Sequence, residues 1–436
     1  MILRLYFSYN KFIMLKQNEF KFCSNNNSTQ TTKTTVMELR SPEAFWLLKN
    51  GILNSYPKLQ ENTTCDIVII GAGITGSLIS HSLNQAGYDV IVIDKRDVAN
   101  GSSAATTSML QYEIDVPMID LANMIGIPGA VECYKAGIDS IDTLQELVIS
   151  EKINCGFDLK KSLQVAHSKK EVKHLRKEFE MRQQNNFDVT WLSSEEIKER
   201  FKMKSYPGIL SSEGASIDAF QFTHGLFLNN HKKGMRIFDH TEVNDIKYED
   251  DGVVIKTDEG YTVEAKKIVF CSGFETLKMF KKKYADVVTT FACVSEQSFN
   301  FFDTLNDTLI WDTANPYIYM RTTDDKRLLV GGEDVKYRYG VISEKIKKRK
   351  SAKLAKKLKS LFPEINFIED YVWAGAFGVT KDGLPFIGEH PDFKNAIFVL
   401  GLGGNGITFS VQGMDLILKM LAGYTDSLLH YYRFDR

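Results

Sequence analysis

Residues 65–94 read CDIVIIGAGITGSLISHSLNQAGYDVIVID. Cys65–Ile70 is a continuous apolar run, suited to a buried strand. Gly71, Gly73 and Gly76 follow, and a helix is expected from there to about Ala86, with Gly87 ending it. Val90–Ile93 is a second apolar strand, closed by Asp94. Strand, glycine turn, helix and strand make a βαβ unit in roughly 30 residues. In that setting the first glycine permits the tight turn and the second lets backbone approach a pyrophosphate. The third lets the helix pack against the strand. The first helical turn, with Ile74 and Thr75, supplies amides and the positive end of the helix dipole to phosphates. Asp94 lies 23 residues after Gly71, where an acid accepts hydrogen bonds from an adenosine ribose.

The fingerprint alone does not separate a flavin dinucleotide from a nicotinamide one, but the layout of the chain does. A nicotinamide dehydrogenase would continue with alternating strands and helices. Here residues 236–271 read as short strands separated by the turn signals Asp250-Asp251-Gly252 and Asp258-Glu259-Gly260. Residues 286–335 alternate apolar and polar, as a sheet does. Helices are expected over 118–150, 169–185, 194–201, 218–233 and 343–361. Near the C-terminus the strand Ala396–Leu400 leads to Gly401-Leu-Gly403-Gly404-Asn405-Gly406-Ile407-Thr408 and a helix expected over Val411–Ala422. A second helix N-terminus suits a second electron-rich target, such as the N1–C2=O edge of a reduced flavin.

These segments carry a resemblance. CDIVIIGAGITG, VIDKRDVANGSS, KKIVFCSG, TKDGLPFIG and GLGGNGITFS together resemble the FAD-dependent oxidoreductases of the D-amino acid oxidase and glycine oxidase family, over about Cys65 to Ala422. The resemblance implies an α/β fold: a Rossmann-like FAD-binding domain (60–155, 206–285 and 371–436) interleaved with a mixed-sheet α+β substrate domain (156–205 and 286–370). It implies FAD held by Gly71, Gly73, Ile74, Thr75 and Gly76, with Asp94 and Lys95 near the adenosine ribose. Ser102, Ser103 and Thr107 would approach the pyrophosphate or flavin, and the Val243 backbone the adenine. Ser272 and Gly273 match the second chain crossing, and Gly404, Asn405, Gly406, Ile407 and Thr408 the pyrimidine edge. With no evident attachment residue, the flavin is expected to be non-covalent. On the substrate side, Arg321 matches a strand position that binds a substrate carboxylate, and its planar fork suits one. Tyr317 and Tyr319 share its strand face at period two. Where many relatives carry a second Arg, before a TxDG-like motif, this chain has Phe377. No catalytic base is evident, and His81 and His224, in expected helices, read as packing residues.

The reaction implied is oxidation of a C–N bond of an amino acid or amine, with oxygen, a quinone or another carrier as electron acceptor. Two alternatives stay open: a flavin monooxygenase using NAD(P)H, and a non-catalytic FAD-bound assembly factor.

Composition sets the outer limits. The chain has 436 residues, 43% hydrophobic, with 54 Lys+Arg against 55 Asp+Glu and a net charge of −1. That balance argues against a nucleic-acid binder. Lys345–Lys359 reads as the solvated face of a helix whose apolar side is Ile346, Leu354, Leu358 and Leu361. The six cysteines are far apart, without CxxC or zinc spacing, so neither a metal site nor a disulfide framework is expected and a cytoplasmic location follows. Ile67–Tyr88 and Ala396–Met414 lack formal charge, but glycines and polar residues break both, so neither reads as a membrane span. Residues 1–36, with the polar tract Asn25–Thr35, read as a disordered extension, or translation begins at Met37.

Overall fold

A computed structural model describes residues 39–298, 303–338 and 342–436. The expected N-terminal extension, 1–36, lies outside the described residues. Two large sheets organise the rest. The first is centred on the strand Thr63–Ile70, which pairs in parallel with Val90–Ile93 on one side and Thr262–Phe270 on the other. Arg236–Phe238 continues the parallel set beyond Val90–Ile93, and Phe393–Leu400 beyond Thr262–Phe270. The antiparallel strands Val243–Tyr248 and Val253–Thr257 extend the other half of the Thr262–Phe270 edge. The central strands are buried on both faces and so read as unbroken apolar runs rather than alternating ones.

The helices Ile74–Gln85 and Gly406–Leu421 each follow a parallel strand and pack together on one face of this sheet. Gly413 allows the approach, since a Cβ there would already touch Ile79. The second helix starts at Gly406, five residues before its expected start. Glycine is disfavoured inside a helix but not in its first turn, so the expectation stopped too late.

The second sheet runs Glu369–Val379, Asp286–Ser295, Leu328–Lys336, Ile318–Thr322, Thr308–Asp312, Lys161–Val165, Gly208–Ser211 and Val189–Leu192. Two of these strands correct the expected domain boundaries. Glu369–Val379 pairs with Asp286–Ser295 along its whole length, and Gly208–Ser211 lies between Lys161–Val165 and Val189–Leu192. Residues 208–211 and 369–379 thus belong to the second sheet, not to the first. Chain order placed them with their sequence neighbours, whereas their hydrogen bonds are long-range.

The helix Glu344–Leu361 covers the second sheet with Leu354 and Leu358. Its lysines are not all solvated. Lys347 and Lys350 are buried, and Lys350 donates to the Glu333 carbonyl at 2.7 Å and carboxylate at 3.2 Å. Ile346 is exposed instead. Long lysine stems lie along the apolar face while their heads reach acids beside it. The helix Ser194–Phe201 is capped by Ser193 through a reciprocal bond with Glu196. Among the described residues no helix is long and apolar enough to cross a membrane.

Candidate active site

The parallel strands of the first sheet all end on one side, at Ile70, Ile93, Phe238, Phe270 and Leu400. Ligands of open α/β sheets bind outside such ends. A cavity of about 1280 Å³ opens there and continues under the second sheet. It exceeds the roughly 300–1,000 Å³ of ordinary small-molecule sites, as a dinucleotide plus a substrate would require.

Gly71 has φ +112°, and a Cβ there would sit 2.7 Å from the Cys271 carbonyl oxygen. A Cβ on Gly76 would lie 1.9 Å from the Gly71 oxygen. These two glycines are required by the protein's own packing. Gly73 differs: a Cβ there meets only the Ser103 hydroxyl, at 3.0 Å, and Gly73 lines the cavity. Gly273 also lines it, and a Cβ there would meet nothing within 4 Å. The cavity floor is thus a cradle that side chains would fill. The Ile74 amide donates to Ser103 Oγ at 2.9 Å, which puts a polar group at the helix N-terminus. Asp94 accepts from the Ala72 amide at 2.8 Å and the Arg96 amide at 2.9 Å, tying together the loops after two strands. Burial pushes its carboxyl pKa up, against those bonds. Lys95 and Arg96 both pair with Glu275, and Arg96 does so as a fork at 2.9 and 3.0 Å.

The cavity is lined by eighteen of the residues singled out from sequence: Gly71, Gly73, Ile74, Thr75, Asp94, Lys95, Ser102, Ser103, Thr107, Val243, Ser272, Gly273, Tyr317, Tyr319, Gly404, Asn405, Gly406 and Ile407. Gly76 and Thr408 are not among the lining residues. Gly76 faces the Gly71 turn, and the Thr408 hydroxyl donates to the Asn405 carbonyl at 3.0 Å, closing the helix start.

Arg321 is a correction. It is buried, 3% exposed, and does not line the cavity. Its Nε donates to the Thr107 carbonyl at 2.8 Å, Nη1 to Thr322 at 3.1 Å and Nη2 to Ile217 at 3.0 Å, while the guanidinium lies 5.4 Å from the Trp46 ring centroid. Burial lowers its pKa to about 10. A guanidinium committed to three backbone carbonyls does not present its fork to a substrate carboxylate. Two tryptophans hold the same loop. Trp46 Nε1 donates to the Thr106 carbonyl at 2.6 Å, and Trp373 Nε1 to the Ala105 carbonyl at 2.8 Å. Three consecutive carbonyls of a cavity-lining loop are thus fixed by side chains remote in sequence.

Sequence reasoning missed the segment 111–115. Asn405 Nδ2 donates to the carbonyls of Gln111 (3.1 Å) and Glu113 (2.8 Å), and the Gly404 amide to Asp115 Oδ2 (2.8 Å). Asp115 lines the cavity with its side chain exposed there, and the protein around it raises its carboxyl pKa by desolvation. Glu113 and Arg182 also border the cavity. Arg182 Nε bonds Glu178 at 2.7 Å, and Glu178 caps the helix Met118–Ile125 through the Met118 and Ile119 amides. Acids two apart in LQYEIDV were the available signal, but nothing local tied them to a turn almost 300 residues away.

His81 and His224 are buried and do not line the cavity. His81 bonds Asn230 Oδ1 at 3.0 Å, and the His224 ring packs 4.6 Å from that of Phe220.

Against known proteins, the model of the family described as FAD dependent oxidoreductase matches residues 66–415. The putative Rieske 2Fe-2S iron-sulfur protein YhfW of Bacillus subtilis (strain 168) is 26% identical over 235 residues, 54% of this chain and 45% of that protein, so the match spans less than half of that relative. Glycine oxidase of the same organism is 25% identical over 381 residues, 85% of this chain and 97% of that protein. The crystal structure of glycine oxidase from Geobacillus kaustophilus superposes with a TM-score of 0.71 at 20% identity, covering 84% of this chain and 96% of that one.

Proposed function

We propose, for a chain that belongs to the FAD-dependent oxidoreductase family, that it is an enzyme oxidising the C–N bond of an amine or amino acid. The observation that carries the reading is the continuity of one cavity. It runs from the dinucleotide crevice at the strand ends to a chamber walled by Tyr317 and Tyr319 beyond the Gly403–Gly406 turn. Bound FAD supplies the acceptor of the two electrons that leave the substrate.

In this reading the Gly71–Ile74 backbone holds the pyrophosphate, Asp94 a ribose, the Val243 backbone the adenine, and Gly404–Ile407 the pyrimidine edge. The family's FAD suits this cradle because Gly73 and Gly273 leave their side-chain space open to the cavity. Tyr317 and Tyr319 wall the chamber, with ring centroids 5.5 Å apart. Burial keeps both phenols protonated, so they orient and exclude water rather than act as bases. Gly331, opposite Tyr319 in the sheet, provides the space its ring takes, because a Cβ there would lie 2.4 Å from it. The electron acceptor is oxygen, a quinone or another carrier.

An anaerobic screen of amines and amino acids, read as bleaching of the bound flavin, tests this. A flavin bleached by NAD(P)H instead would make the protein a monooxygenase component. One bleached by neither would make it a scaffold.

A further inference from the structure

We propose that Asp115 sets a negative charge against the Gly403–Gly406 turn, so that two-electron reduction of the flavin draws in two protons rather than one. The proposal rests on the reading above, which seats the pyrimidine edge of FAD on Gly404–Ile407, and adds the residue that fixes the charge there.

The turn opens the helix Gly406–Leu421, and a helix start carries about half a unit of positive charge. Asn405, at that start, makes no capping bond, because its side-chain amide donates to the Gln111 and Glu113 carbonyls. Gly406 and Ile407 line the cavity. By itself this helix end would favour the negative charge that reduction leaves on the N1–C2=O edge of the ring. Asp115 changes the balance. Its Oδ2 accepts from the Gly404 amide at 2.8 Å. A Cβ on Gly403 would lie 2.8 Å from Oδ2, and one on Gly404 2.7 Å from Oδ1. Both carboxylate oxygens are thus seated on the glycine pair, and the side chain is exposed to the cavity.

Among the described residues no Lys, Arg or His pairs with this carboxylate. The groups that face it from other elements are Tyr317 and Tyr319, at the strand Ile318–Thr322, and Asp334 of the strand Leu328–Lys336. Burial raises the pKa of all three, and the Asp115 charge adds to it. None of them is a cation. A full negative charge outweighs the half charge of the helix end. Desolvation already raises the Asp115 pKa, against the bond from Gly404.

The proton balance follows. Reduction adds two electrons to the ring and one proton at N5, which leaves one negative charge on the N1–C2=O edge. That charge and the Asp115 carboxylate are like charges in one site, where both are not kept ionised. A second proton, taken from solvent, settles on one of the two.

The test uses the FAD-loaded protein, reduced stepwise by dithionite against reference dyes across neutral to alkaline pH, so that no amine is needed. For a two-electron couple a tenfold change is about 30 mV. The midpoint potential should therefore fall by about 60 mV per pH unit in the wild type, for two protons, and by about 30 mV in Asp115→Asn, for one. The variant keeps an acceptor for the Gly404 amide and loses the charge. Sulfite, which adds to flavin N5 and leaves a negative charge on the same edge, should bind the variant about tenfold more tightly or better. If Asp115→Asn loses FAD, Asp115→Ser replaces it, with the same shifts expected. A wild-type slope of about 30 mV per pH unit, or equal slopes in wild type and variant, overturns the proposal. Equal slopes with a shifted flavin absorption band remove only the role of Asp115. Equal slopes with an identical band remove the seat of the ring on this turn as well. A two-proton slope abolished by the substitution, in a protein whose flavin no amine or amino acid bleaches, supports the proposal and removes the C–N oxidation reading instead.

Discussion

Replacing Arg321 with Met tests whether this residue is a strut or a ligand. The change keeps much of the apolar stem and removes every donor. Two carbonyls remote in sequence, Thr107 and Ile217, lose their partners at 2.8 and 3.0 Å, the first part-buried and the second buried. Each orphaned buried acceptor costs about 1–3 kcal/mol. The guanidinium's own burial penalty is relieved in return, visible in its lowered pKa. A net loss of about 2–4 kcal/mol follows from these terms. Denaturant unfolding followed by flavin fluorescence should show a lower midpoint at an unchanged slope. Arg321→Lys should fall between, since one ammonium cannot reach three carbonyls in a plane. Because Thr107 lines the cavity, turnover should fall in step with stability. A variant with wild-type stability and FAD content but a selectively raised substrate KM would refute the strut and make Arg321 a ligand.

Gly73→Val puts a branched side chain into the cradle. The purified variant should carry less than about a tenth of the wild-type FAD, read from the 450 nm to 280 nm absorbance ratio; full occupancy would remove the pyrophosphate from this spot. Gly331→Ala would press on the outer edge of the Tyr319 ring. It should weaken substrate several-fold with FAD content intact, and unchanged kinetics would take Tyr319 out of the site. His224 is buried, which lowers its pKa from 6.5 to about 4. The unfolded chain therefore binds the extra proton between these values, so stability should be full above pH 6.5 and fall as pH drops towards 4. The loss should reach up to about 3 kcal/mol from this group, and His224→Leu should show a shallower pH slope; parallel slopes would refute the assignment.

What could be read from sequence was local. The strand, turn and helix of 65–86 lie within one contiguous stretch, and their glycines answer to neighbours a few residues away or to one adjacent strand. The face of Tyr317, Tyr319 and Arg321 was also legible, because strand periodicity is strict. The part of that face left open was not. Trp46 and the 105–107 loop cover Arg321, whereas Tyr317 and Tyr319 border the cavity. The cover comes from residues that no spacing within the strand reveals. Asp115 escaped for the same reason, since its place at the Gly404 turn is made by a bond across the whole fold. The helix Gly406–Leu421 was legible as a helix, and its start was obscured by the glycines that suit it to ligand contact.

The segment 39–50 precedes the dinucleotide motif yet finds its partners far downstream. The Ser41 amide bonds the Ala374 carbonyl at 2.9 Å, and Leu39 accepts from Ala376 at 2.9 Å. The central sheet likewise needs Phe393–Leu400 beside Thr262–Phe270. During synthesis residues 39–41 therefore wait for almost the entire polypeptide before these hydrogen bonds can close. At about 5–20 residues per second that is some tens of seconds with this segment unpaired. Assembly of this protein is completed late, and its yield in a cell should depend on what shields Phe45 and the Thr262–Phe270 strand edge until residues 369–400 emerge.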